Sequence, residues 1–235
     1  MTTTEHLSKQ YDADLESLRS RVLEMGGLVE SQIRSAIEAF IHGDREIAER
    51  VIAGDHQVNG YEVSIDDACG HIIVKRQPAA RDLRLIMGIS KTVTDLERVG
   101  DEAEKIARMA KSIHGRGRIQ VERLPEIRHV SDIAVRMLRQ ALDAFARLDP
   151  GEAAQVVRQD EAIDTEFRAI LRQLITYMME DPRTISTALE VVWIAKAIER
   201  IGDHAKNIAE YVIYIVKGTD VRHISVEQVE QEASA

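Results

Sequence analysis

Aromatic side chains are scarce in this chain of 235 residues, at 4%, so a core has to be built from Leu, Ile, Val, Ala and Met. Cysteine occurs once, at Cys69, which excludes an intramolecular disulfide and reads as a small buried thiol. Proline occurs four times, too rarely for a proline-rich disordered chain. Positive charge is in deficit: the net charge is -9, whereas neutralising nucleic-acid phosphates takes a basic surface, so no nucleic-acid partner is expected. No apolar run is long enough to span a bilayer, and no basic segment followed by an apolar stretch opens the chain. The cytosol is therefore the expected compartment. A Gly-rich phosphate loop, a nucleophile elbow and Cys/His metal spacing are also missing.

What is present is helix. Hydrophobic residues make up 44% and charged residues 30%, and apolar positions recur at three and four throughout. Tyr11, Leu15, Leu18, Val22, Met25, Val29, Ile33, Ile37 and Phe40 form one stripe, stopped at Gly43, with Asp44 placed to cap the next helix. That helix runs through Val51, Val58, Ile65, Cys69 and Ile72, and Pro78 begins a third at a favourable first-turn position. A fourth carries Ile127, Val130, Ala134, Met137, Ala141 and Phe145. Asp149-Pro150-Gly151-Glu152 is a capping-box start for the fifth, and Asp181-Pro182 starts a sixth that stops at Lys217-Gly218. Trp193 and the methionines sit at helical spacing and read as core.

The plan is duplicated. Ala36-Ile37-Glu38-Ala39-Phe40 returns as Ala141-Leu142-Asp143-Ala144-Phe145, and Glu97-Arg98-Val99-Gly100-Asp101 returns as Glu199-Arg200-Ile201-Gly202-Asp203. The expected fold is all-α: two tandem three-helix bundles related by internal pseudo-symmetry, six helices in all. The first bundle covers 1–114, a linker 115–125, the second bundle 126–218, and a loose polar tail 219–235.

A packing repeat needs only apolar residues to recur, yet here acids recur too. Within each antiparallel hairpin, residues symmetric about the turn lie at the same height. Asp55 and Asp101, like Asn59 and Glu97, are symmetric about Pro78. Asp160 and Asp203, like Asp164 and Glu199, are symmetric about the Asp181-Pro182 junction. Two quartets follow: Asp55, Asn59, Glu97 and Asp101, then Asp160, Asp164, Glu199 and Asp203. Each pair on one helix is spaced i,i+4 and shares a face. Clustered carboxylates are hard oxygen ligands suited to magnesium, calcium, manganese or iron, and zinc can be held this way. Asn59 puts a neutral amide in the first quartet, which favours the second as the metal site. The competing reading is a solvated acidic face neutralised locally by Arg98, Lys105 and Arg200. Gly100 and Gly202, costly inside a helix, fit close helix approach.

These residues resemble the PhoU family of phosphate-transport regulators, along nearly the whole chain. The resemblance rests on Gln77-Pro78 with Asp82-Leu83-Arg84-Leu85-Ile86 ahead of Asp95-Leu96-Glu97-Arg98-Val99-Gly100-Asp101. It continues in Ile198-Glu199-Arg200-Ile201-Gly202-Asp203-His204-Ala205 with Asn207-Ile208-Ala209-Glu210, and in Val216-Lys217-Gly218-Thr219-Asp220-Val221-Arg222-His223. It implies two three-helix bundles and a non-enzymatic negative regulator of phosphate uptake and of the phosphate-starvation response. Such a regulator acts between the high-affinity phosphate ABC transporter, through its ATPase subunit PstB, and the sensor histidine kinase PhoR. It reaches the membrane only through those partners, and a homodimer is expected. Iron or zinc on Glu/Asp-x-x-x-Asp motifs is also implied, matched here by Glu97 with Asp101, Glu199 with Asp203 and Asp160 with Asp164; Asp55-x-x-x-Asn59 departs from the all-acidic form. The alternative function is a metal-dependent phosphoester hydrolase using the same acids.

Overall fold

The computed structural model describes residues 3–116 and 125–235. Among these residues seven α-helices follow one another: α1 (Thr3–His42), α2 (Arg45–Arg76), α3 (Ala80–Arg116), α4 (Pro125–Arg147), α5 (Pro150–Glu180), α6 (Ile185–Lys217) and α7 (Val226–Ser234). Among the described residues there is no strand, and no helix is long and apolar enough to cross a membrane. Helices α1, α2 and α3 pack together as one bundle, and α4, α5 and α6 as the other. Of the linker expected over 115–125, residues 117–124 lie outside the described residues.

The local start and stop signals act as expected. The Asp44 side chain accepts a hydrogen bond from the Ile47 amide at 2.9 Å, and Asp149 accepts one from the Glu152 amide at 3.0 Å. Gly218 closes α6 at φ 82°, the left-handed region that favours glycine. Two starts are later than the prolines suggest. Gln77 ends α2 at φ 49° and its amide bonds back to Ile73, so the chain is still turning at Pro78 and α3 begins at Ala80. Pro182 opens a single 3₁₀ turn, Pro182–Thr184, before α6 begins at Ile185.

The stripe of α1 is core: Val22, Met25, Val29, Ile33 and Phe40 are fully buried. Cys69 is buried, and burial pushes its thiol up to about 12. Two expectations fail. Trp193 is 61% exposed, and Met87 and Met179 are exposed as well, because their helical spacing belongs to an outer face. The expected loose tail is folded instead. Ser225 and Gln228 form a reciprocal capping box, Val229 and Ala233 are buried one turn apart, and α7 packs on α5. The bidentate Arg158–Glu230 pair ties it there.

The bundles are joined along α3 and α6, which form the most extensive helix pairing in the molecule. The two helices run antiparallel: Ser112 donates to Glu190 at 2.8 Å, Arg200 pairs with Glu102 at 3.0 Å, and Gly88 leaves room for Ile215. The third helix of each repeat is thus the inner helix of the whole protein.

Candidate functional site

The hairpin register between α2 and α3 is the expected one. Ser90 donates to Asp66 at 2.7 Å across α2 and α3, a pair symmetric about Pro78 like the acids. A Cβ on Gly100 would stand 3.1 Å from Val58, so the glycine permits the close approach of α2. Asn59 donates to Asp55 at 3.0 Å. Burial holds Glu97 above the ordinary carboxylate range, with Asp101, Glu62 and Asp55 adding like-charge repulsion. Burial and then Asp55 raise Asp101 in the same sense, against Lys105. Asp55 Oδ1 and Asn59 Oδ1 are buried without a hydrogen-bond partner.

In the second quartet, Lys206 Nζ bonds Asp160 at 2.7 Å across α5 and α6, and a Cβ on Gly202 would come 2.5 Å from Ile163 Cδ1. Asp203 is pushed up to about 6, first by burial, then by Glu199 and Asp160, with Asp164 adding to the effect and Lys196 opposing it. Glu199 is buried, and both its oxygens lie 2.5 Å from Lys196 Nζ. Asp164 pairs with Arg168 at 3.3 Å. All four members share one electrostatic neighbourhood, but three of them already have cationic partners.

The fit to a metal differs between the two. Among the described residues no three His, Cys, Asp or Glu side chains stand close enough to share one ion. The first quartet offers two orphaned buried oxygens and mutually repelling acids, both of which a hard cation would relieve. In the second, Lys196 and Lys206 supply the positive charge from within, so an ion would have to displace them. The donor chemistry fits in both, and the buried oxygens without a partner are in the first.

Sequence reasoning missed the polar cluster between α3 and α6. His204 Nδ1 lies 2.7 Å from Asp95 Oδ1, which also accepts from Asn207 Nδ2 at 3.0 Å. Asp95 and His204 are both buried, and Tyr211 is raised by burial and by the neighbouring Asp95. Glu210, buried on the next turn of α6, is pushed up to about 7 by burial, against Lys206 and Arg222. A signal existed in the repeat: where the first copy has Glu102, the second has His204. Such a departure marks a place where two otherwise equivalent helices must differ.

The fold and site therefore define an internally duplicated helical protein carrying acidic helix faces. Comparison with known proteins places it further. The PhoU domain model matches residues 22–110 and 127–212, and the chain belongs to the PhoU family. It is 51% identical over 229 residues to the phosphate-specific transport system accessory protein PhoU homolog of Pseudomonas putida, covering 97% of this chain and 89% of that protein. It is 46% identical over 231 residues to the accessory protein PhoU of Escherichia coli strain K12, covering 98% and 95%. The crystal structure of PhoU from Pseudomonas aeruginosa superposes with a TM-score of 0.85 at 49% identity, covering 89% of this chain and 100% of that one. The phosphate transport system regulatory protein PhoU from Streptococcus pneumoniae gives 0.83 at 27% identity, covering 90% and 99%.

Proposed function

We propose that the chain is an accessory regulator of phosphate-specific transport. It restrains uptake and the phosphate-starvation response when phosphate is plentiful, and it is not an enzyme. The observation that carries this reading is the near full-length likeness to proteins named phosphate-specific transport system accessory protein. In this reading it is an adaptor in the cytoplasm, docking on the transporter ATPase subunit PstB and on the sensor kinase PhoR through its helical faces, and it works as a homodimer. The acidic quartets respond to a cation, iron or zinc first and manganese or magnesium next, with Asp55, Asn59, Glu97 and Asp101 or Asp160, Asp164, Glu199 and Asp203 as its ligands. Bound there, a cation would supply charge neutralisation and a bridge to acidic groups of a partner.

The test is a phosphate-starvation reporter in a host lacking its own copy of the gene. Restoration of repression by the wild-type chain at high phosphate is expected, and unchanged derepression would overturn the adaptor reading. The variant Asp160→Asn, Asp164→Asn, Glu199→Gln, Asp203→Asn, compared with its Asp55, Glu97 and Asp101 counterpart, separates the quartets. Elemental analysis of untagged protein reads their metal content directly. The hydrolase alternative needs a general base beside an enclosed acidic site. Phosphatase turnover that disappears in Asp203→Asn would restore it.

A further inference from the structure

A second polar site lies beside the second quartet, where α6 faces the turn at 218–223. Gly218 reverses the chain, Val221 is buried as the anchor of the turn, and Arg222 is braced by Asp220. The turn and helix border an open cavity of about 420 Å³ lined by Arg200, Lys206, Arg222, His204, Asp203 and Glu210, among others. Each cation is anchored by an acid that does not line the cavity: Arg200 by Glu102, Lys206 by Asp160 and Arg222 by Asp220. The forked arginine groups carry five N–H donors each, so these bonds leave donors over.

His204 and Glu210 are the buried members of the lining, and His204 is the one with an unpartnered atom. It is 7% exposed, and Asp95, a carboxylate that accepts, occupies its Nδ1. Its Nε2 is buried and has no partner. With the proton fixed on Nδ1, a neutral ring offers Nε2 as an acceptor. Asp203 and Glu210 add carboxylate acceptors to the same wall. The cavity therefore presents cationic donors and acceptors together.

We propose that this cavity binds inorganic phosphate as a hydrogen-bearing oxyanion: Arg200, Lys206 and Arg222 hold its charged oxygens, while His204 Nε2 and the carboxylates accept from its P–OH. A fully ionised oxyanion such as sulfate has no hydrogen to give those acceptors and meets the carboxylates as like charges. A phosphate monoester loses its second proton near pH 6 and is disfavoured for the same reason. Free phosphate keeps a hydrogen at neutral pH. Selection among anions thus comes from the acceptors, and the arginines and lysine supply the attraction. The inference deepens the regulatory reading and rests on it for its purpose, though not for its chemistry.

The experiment is calorimetric titration of the full chain with inorganic phosphate, sulfate and phenyl phosphate. EDTA is present throughout, so that no metal at the adjoining acids mediates binding. Saturable phosphate binding is expected, with sulfate and phenyl phosphate at least about tenfold weaker. Arg222→Gln and His204→Asn should each weaken phosphate by about tenfold or more. Asn at 204 keeps a donor toward Asp95 while deleting Nε2. Lys75→Gln, on the other bundle, should leave the affinity unchanged. Should His204→Asn fail to fold, Arg222→Gln on the exposed turn decides alone. No binding at millimolar phosphate, equal binding of sulfate, or affinity indifferent to Arg222→Gln would each overturn the proposal. Absent phosphate binding with intact reporter repression would sink this site and leave the adaptor role standing. Intact binding without repression would do the reverse.

Discussion

Glycine sets the tightest constraints at the scale of single residues. Gly202 faces Ile163 so closely that a methyl group would force the isoleucine aside. Gly202→Ala is expected to lose stability, by roughly 1–3 kcal/mol of overpacking partly offset by better helix propensity. Gly60→Ala, with nothing within 4 Å, should instead gain up to about 1 kcal/mol. Urea denaturation of the two variants checks the contrast. Glu210 makes a prediction in pH. Its carboxyl sits at about 7 in the folded protein, mainly through burial, against the ordinary 4.5. The folded state therefore keeps a proton that the unfolded chain releases. This contribution is fully present below the unfolded value and is lost as pH rises through about 7. Glu210→Gln should flatten the fall in urea midpoint over that window and gain stability at pH 8, on the order of 2 kcal/mol. The recurring glycines and acids were legible in the sequence because the repeat shows them twice. Asp95 and Glu210 were not, since a lone acid in an amphipathic helix carries no mark of its burial.

At the scale of elements, the polar crossing of α3 and α6 is an interaction between two groups that need each other. His204→Leu leaves Asp95 buried with less to satisfy it, and a cost of roughly 3 kcal/mol is expected. Replacing both by leucine should recover most of that loss. The cycle of Asp95→Leu, His204→Leu and the double variant, followed by chemical denaturation, measures the coupling. Helix α7 is the other element to test. Val229→Asp puts a charge into the contact with α5 and should release the helix, with hydrogen exchange of residues 226–234 accelerating while α6 stays protected. Six helices were readable because each carries a long stripe with a cap or stop at its ends. The seventh has only nine residues, too few for periodicity to outweigh an acidic composition. The exposed Trp193 misled for the opposite reason: its spacing was helical, and spacing alone does not say which side of the helix faces inward.

At the scale of the whole molecule, the hairpin register followed from prolines and caps, whereas no three of the acids it brings to one height stand close enough to share an ion among the described residues. The pairing of the halves did not follow, because the sequence repeats each bundle without saying how one bundle meets the other. The inner faces of α3 and α6 answer that with complementary differences: Asp95 on one side and His204 on the other, Glu102 on one and Arg200 on the other. One thermal transition is expected by calorimetry, with no separate melting of either bundle. The same seam bears on what proteolysis would do. A protease cutting once between α3 and α4 would leave two fragments, each with the inner face of its third helix formerly covered by the other. Neither would be a free-standing domain. Mixed in equal amounts, they should reassemble non-covalently into the parent fold, each serving as the other's template.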